Sequence, residues 1–135
     1  MRVTQRTFRA IAATAFVLSL IVHVLASAGI ALPWGKAPFL LHLVIFLVWI
    51  PTIIVLVGEK RGRIGWEQVL EVLRPAPRWF RFTTWFVISY SVLNFALLWS
   101  GAVGDSKDEL VGLRAISCVW MVAYWLALVF LRRPL

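Results

Sequence analysis

Two histidines and one cysteine, His23, His42 and Cys118, are the nitrogen and sulfur side chains here that could ligate a metal, and His23 could also serve as a base. Ser19, His23 and Ser27 recur at i, i+4 and i+8, which puts all three on one face of a helix. Tyr90 and Asn94 share a face in the same way, and Arg114, Ser117 and Tyr124 lie along a later apolar stretch. A nucleophilic Ser19–His23 pair would lack an orienting acid and an oxyanion hole. Two histidines without a carboxylate or thiol at matching depth make a weak zinc site. No metal, haem or catalytic group is therefore expected.

These residues sit in a chain built for lipid. Of 135 residues, 61% are hydrophobic and 15% charged, with mean hydropathy +0.87, against about 45–50% and about 25% in soluble domains. The aromatic and branched content excludes disorder, and a single cysteine excludes a disulfide scaffold. Uncharged apolar runs cover residues 10–32, 39–57, 82–99 and 115–131. At about 1.5 Å per residue each reaches roughly 25–35 Å, enough for a hydrocarbon core of about 30 Å. Backbone groups in lipid must be satisfied within their own segment, so these runs are helices. The expected fold is all-α: a four-transmembrane-helix antiparallel bundle forming one integral membrane domain over residues 1–135.

Basic residues set the threading. Arg2, Arg6 and Arg9 precede the first span, Lys60, Arg61, Arg63, Arg74, Arg78 and Arg81 lie between the second and third, and Arg132 and Arg133 follow the fourth. Only Lys36, Lys107 and Arg114 fall on the other side. The positive-inside rule then places both termini in the cytoplasm of a bacterial inner membrane. The net charge of +8 reads as topology and attraction to anionic headgroups, with no basic folded face left for nucleic acid. Partners are expected to be the bilayer, other membrane proteins or further copies of the chain. A signal peptide cleaved after Ala28 is the rival reading of the N-terminus. The apolar run continues through Ile30, Ala31 and Leu32, however, and Ala26, Ala28 and Gly29 suit close helix packing.

Between the spans, residues 33–38 read as a tight external turn with Trp34 at headgroup depth, and residues 100–110 as a short polar external loop. The cytoplasmic loop 58–81 holds an amphipathic stretch in which Trp66, Val69, Leu70 and Leu73 fall at i, i+3, i+4 and i+7. Pro75 and Pro77 stop it. With basic flanks, it is expected to rest as an interfacial helix on the membrane surface.

No Asp, Glu, Lys or Arg falls within the four runs. A proton-coupled exporter needs an intramembrane carboxylate and a voltage sensor needs buried arginines, so both classes are disfavoured. Measured from the external ends, His23, Tyr90 and Tyr124 lie about 13 Å deep, Asn94 about 7 Å, and His42 and Ser117 about 3–5 Å. The roughly 9 Å between the two histidines is poor for a haem axial pair. Polar groups gathered in one half suggest a hydrated pocket of His23, His42, Tyr90, Asn94, Arg114, Ser117 and Tyr124. The alternative use of such residues is interhelical hydrogen bonding, worth about 0.6 kcal/mol each. Arg114 either clamps an anion or snorkels to the headgroups. Asn94 is expected to face span 1 or span 4 and to hydrogen-bond there.

The residues Leu41-His42, Trp49-Ile50-Pro51, Pro77 and Trp79, Tyr90 with Asn94-Phe95, and Arg114, Ser117, Trp120-Met121 and Tyr124 resemble a group of small bacterial four-helix membrane proteins with no assigned activity. That resemblance implies Gly-His before the Trp-Met pair of the last helix, where this chain has Cys118-Val119. Small multidrug exporters are similar in length but carry a glutamate in the first span. Dual-topology fluoride channels conflict with the charge bias, and membrane glutathione-transferase-like proteins carry Arg and Glu inside their helices. The function expected is a non-enzymatic accessory or interaction subunit. The alternative is a binder or transporter of a small ligand or quinone using the external polar pocket.

Overall fold

Gly29 ends the first helix. Its φ of +72° is left-handed, a conformation glycine reaches without steric cost. The chain closes there through Gly29 N–H to Ala26 O (3.2 Å) and Ile30 N–H to Leu25 O (3.0 Å), which satisfy carbonyls left open at a helix end. A Cβ at this glycine would meet nothing within 4 Å. Its role is therefore the turn, not the close helix packing expected of it, and the first helix stops short of residue 32.

A computed structural model describes residues 2–30, 37–59, 66–101 and 109–131, with side chains throughout except at 2–4, 51, 54–59 and 68. The elements are α1 (Arg2–Ser27), one 3-10 turn (Ala37–Phe39), α2 (Leu40–Glu59), α3 (Trp66–Leu73), α4 (Arg78–Trp99) and α5 (Glu109–Phe130). No strand occurs among the described residues. Among the described residues, three helices are long and apolar enough to cross a membrane, over Gln5–Ser27, Arg78–Trp99 and Glu109–Phe130; Ala37–Ile50 is a shorter apolar stretch. The expected turn at 33–38, Lys36, the loop residues 102–108, and the basic residues Lys60, Arg61, Arg63, Arg132 and Arg133 lie wholly or largely outside the described residues.

Helices extend beyond the uncharged runs. α1 starts eight residues before residue 10, α4 four before residue 82 and α5 six before residue 115. Uncharged runs mark what lipid dissolves, whereas a helix also carries basic or acidic turns into the headgroups. Arg114 is thus well inside α5, not at its mouth.

The bundle is organised around α5. Half of its span window is buried, against 33% for α1 and 28% for α4, and α1, α2, α3 and α4 all pack on it. Small side chains bring α1 close: Ala12, Ala15, Ser19 and Ala26 are all buried, the pattern by which helices without a hydrophobic driving force gain contact. Gln5 Nε2–H donates to Leu131 O at 3.0 Å, and His23 meets Ser117, so α1 runs antiparallel to α5. α2 runs with α5, since Leu41 and His42 meet Tyr124 and Trp120 while Trp49 reaches Ala123 and Phe130.

The interfacial helix differs from expectation. Val69, Val72 and Leu73 are buried in a cluster with Phe80, Trp125, Val129 and Phe130. Trp66 and Leu70 remain exposed, with Trp66 edge-on to Trp85 of α4 at 5.7 Å. α3 is therefore clamped to the end of the bundle, and its apolar stripe is divided between protein and surroundings. The expectation treated the bilayer as the only apolar surface available to it.

Candidate functional site

A buried polar cluster joins α1, α4 and α5. His23, 2% exposed, projects from α1 on the turn after Ser19, whose hydroxyl donates back to Ala15 O at 2.7 Å. Its Nε2 lies 2.8 Å from Tyr90 Oη, and its Nδ1 lies 3.0 Å from Ser117 Oγ and 3.3 Å from Arg114 O. Ser117 O–H donates to Arg114 O at 2.9 Å. That donation leaves Ser117 Oγ an acceptor, and a carbonyl only accepts. His23 must therefore carry its proton on Nδ1, and its bare Nε2 receives the Tyr90 O–H. The rings of His23 and Tyr90 also meet edge to face at 5.5 Å.

Cys118 Sγ lies 3.6 Å from His23 Nδ1, a contact that sequence spacing gives no sign of. Arg114 contributes its carbonyl to the cluster, while its side-chain Nε is buried without a partner. Asn94 is 4% exposed, so it faces protein and not lipid. Its Oδ1 nevertheless has no hydrogen-bond partner, in contrast to the bond expected there.

His42 and Tyr124 belong to a different junction. Tyr124 is fully buried and donates its hydroxyl to Leu41 O. Trp120 Nε1–H donates to His42 Nδ1 at 3.3 Å, and His42 is itself exposed. Both contacts fasten α2 to α5. The seven residues expected to line one pocket thus divide, with His23, Tyr90 and Ser117 together, Asn94 and Arg114 on α4 and α5, and His42 with Tyr124 at the α2 seam. Counting from the ends of the uncharged runs puts Ser117 about 8–10 Å shallower than His23 and Tyr90, yet the three meet, because α1 ends at Ser27 and α5 begins at Glu109 rather than at the run boundaries. The start of α2 packs beside Ile116 and Trp120, about 2–8 Å below residue 115.

Indole N–H groups supply further junctions. Trp125 Nε1–H donates to Thr84 Oγ1 at 2.9 Å, and Thr84 O–H donates to Phe80 O at 2.9 Å. Trp49 Nε1–H donates to Ala123 O at 3.2 Å. Tryptophan counted as an apolar residue in reading the spans, although a buried indole needs an acceptor. Among the described residues no group of three or more His, Cys, Asp or Glu could hold a metal ion.

A cleft of about 480 Å³ runs between α4 and α5, lined by Ser91, Val92, Phe95, Ala96, Cys118, Val119, Val122 and Ala123. It continues past Phe95 into a second hollow of about 380 Å³, bounded by Leu98, Trp99, Val111, Gly112 and Ala115. Ascending residues of α4 face descending residues of α5, so the two helices are antiparallel. Comparison with known protein families, with curated proteins and with solved structures finds no significant match. The function must be argued from this chain's own geometry.

Proposed function

We propose that this chain is a four-span protein of the bacterial inner membrane, with both termini cytoplasmic, that acts as a non-enzymatic accessory or interaction subunit. One observation carries the reading: most of the deep polar side chains are spent on fastening helices to one another, chiefly to α5. His23 with Tyr90 and Ser117, Tyr124 with Leu41, Trp120 with His42 and Trp125 with Thr84 each bridge two helices. Residues spent this way are not free to work on a substrate.

The charge pattern supports the threading. The α1 start, the α4 start and the α5 end gather at one end of the bundle, because Gln5 meets Leu131 and Phe80 packs with Phe130. Exposed Arg6, Arg9, Arg74, Arg78 and Arg81 all belong to that end, which suits an anionic cytoplasmic leaflet. Along the outside, Val17, Ile21 and Val24 of α1, Leu43, Phe46 and Leu47 of α2, and Phe86, Val92 and Leu93 of α4 are exposed, as lipid-facing positions are.

Threading is tested by single cysteines at positions 36, 107 and 68 in a Cys118→Ser background. An impermeant thiol reagent added to spheroplasts should label the first two and spare the third. Labelling of 68 with sparing of 36 overturns the orientation. The subunit reading is tested by affinity purification in mild detergent followed by native mass spectrometry. A defined stoichiometric assembly with another membrane protein is expected, and substrate turnover by the isolated chain in vesicles would defeat the reading.

A further inference from the structure

The outward face of α4 carries two adjacent ridges. Arg78, Phe82, Phe86 and Tyr90 recur at every fourth residue, and Arg81, Trp85 and Ser89 form the ridge beside them. Phe82 and Phe86 stack at 6.4 Å with 18° between their planes, and Phe86 and Tyr90 at 6.0 Å with 17°. The rings make one continuous ladder with an arginine at its head. Phe82 and Phe86 are 72% and 58% exposed, and Trp66 of α3 meets Trp85 edge-on at 5.7 Å, closing one side of the face. The two arginines have no acid on their own helix to answer them. Arg78 and Arg81 are exposed and one turn apart, so by themselves they repel. The first turn of α4 holds no carboxylate, and no Asp or Glu occurs between residues 72 and 104. Glu67 and Glu71 of α3 are the nearest acids in sequence, within a stretch, 58–81, that carries six Lys and Arg against three Glu.

From this arrangement we infer that the outward face of α4 is a binding site for one anionic phospholipid, its phosphate held by Arg78 and Arg81 and an acyl chain laid along Phe82, Phe86 and Tyr90. Charge selects the head. Guanidinium groups take phosphate through paired N–H donors, and an anion set between two repelling cations relieves both. A zwitterionic head would bring its own cation into a region already in positive excess. Length selects the tail. Arg78 and Tyr90 are 12 residues apart, about 18 Å along the axis. That distance matches the headgroup edge plus half of a hydrocarbon core of about 30 Å.

The ladder ends where the polar cluster begins. Tyr90 turns its hydroxyl to His23 Nε2 at 2.8 Å, so the apolar track closes near the middle of the bilayer, where the chains of one leaflet end. General attraction to anionic headgroups acts on every arginine at this end of the bundle, exposed Arg6 and Arg9 of α1 included. A site differs from that attraction because it uses Arg78 and Arg81, which stand at the head of the ring ladder. The inference rests on α4 crossing a membrane. It does not rest on the direction of threading or on the subunit reading, so either can fail without the other.

The test titrates the full chain in dodecyl maltoside micelles with dioleoylphosphatidylglycerol and counts bound lipid by native mass spectrometry. Dioleoylphosphatidylcholine, a zwitterion with the same chains, and glycerol phosphate, an anionic head without chains, are the comparison probes. One phosphatidylglycerol is expected to bind saturably, at least tenfold tighter than phosphatidylcholine, with glycerol phosphate not binding in that range. Arg78→Gln with Arg81→Gln should weaken phosphatidylglycerol at least tenfold. Arg6→Gln with Arg9→Gln removes the same charge from α1 and should weaken it less than twofold. Phe82→Ala with Phe86→Ala should weaken both lipids by similar factors and keep the preference for phosphatidylglycerol. All these positions are exposed, so the packed interior is spared. Equal binding of the two lipids, equal losses from the two arginine pairs, glycerol phosphate as tight as the lipid, or full lipid binding by the alanine pair overturns the inference. So does a dimer that forms without lipid and is lost in the alanine pair, which would make the ladder a contact between copies of the chain.

Discussion

Replacing Tyr90 with Phe removes one hydroxyl and keeps the ring that meets His23 edge to face at 5.5 Å. The perturbation is therefore confined to the 2.8 Å bond to His23 Nε2. What remains is a buried imidazole nitrogen with a lone pair and no donor, a loss of about 1–2 kcal/mol. His23→Leu removes that need along with the Nδ1 bonds, after which Tyr90→Phe should be neutral. The double-mutant cycle should then give a coupling energy equal to that loss, about 1–2 kcal/mol, at the upper end of the range for interhelical pairs in membranes, which reaches about 1.7 kcal/mol. Ser117→Ala should cost less than Tyr90→Phe, because Nδ1–H keeps Arg114 O at 3.3 Å as a second acceptor. Reversible unfolding in mixed micelles measures all three, and nitrogen chemical shifts of labelled histidine report the tautomer. A coupling below about 0.3 kcal/mol, a costlier Ser117→Ala, or a proton found on Nε2 would refute the network as drawn.

Asn94→Leu should leave stability unchanged or raise it slightly, since the amide oxygen it removes has no partner; a loss above about 1 kcal/mol in the same unfolding assay would mean that Asn94 is bonded after all. Trp125→Phe keeps most of the packing and deletes the indole donor to Thr84, for an expected loss of about 0.5–1.5 kcal/mol, and Thr84→Val in that background should add little. Gly29→Ala forces a Cβ into a left-handed turn at φ +72° and should cost about 1 kcal/mol from strain alone, because no neighbour crowds the site. A spin label at Leu40, exposed and beside Ile116, about 10 Å along α5 from Glu109, should be reached by oxygen and shielded from aqueous nickel reagent; equal access for the nickel reagent at Leu40 and Trp99 would show that α2 starts at the surface.

Much of the helical content was legible because lipid solubility is a property of composition. Long uncharged runs can satisfy their backbones only as helices, and three such helices of membrane length are present. Their ends were less legible. Arg78 and Arg81 begin α4 and Glu109 begins α5, since charge ends the hydrocarbon without ending the helix. Gly29 did carry a stop signal, but a small residue in an apolar run reads equally as a packing site. In the cluster, His23 and Tyr90 could be matched by counting turns, but Ser117 could not, because counting from residue 115 left out the six residues by which α5 begins earlier. Orphaned Asn94 could not be foreseen, as its surroundings depend on how α4 faces α5.

The way α2 is held against α5 follows from the physics of helices in lipid. A soluble helix that slides along its neighbour exposes apolar surface to water and is driven back. In a bilayer the lipid tails are as apolar as Leu, so sliding costs only packing and whatever polar pairs it breaks. Helix length then says little about register, and the few polar pairs decide it. For α2 those pairs are Tyr124 to Leu41, Trp120 to His42 and Trp49 to Ala123, all made to one helix. Each loses its partner if α2 moves by a single turn of about 5.4 Å, leaving a buried donor unsatisfied at about 1–3 kcal/mol apiece. His42 and Tyr124 are pins that hold the register of α2 against α5.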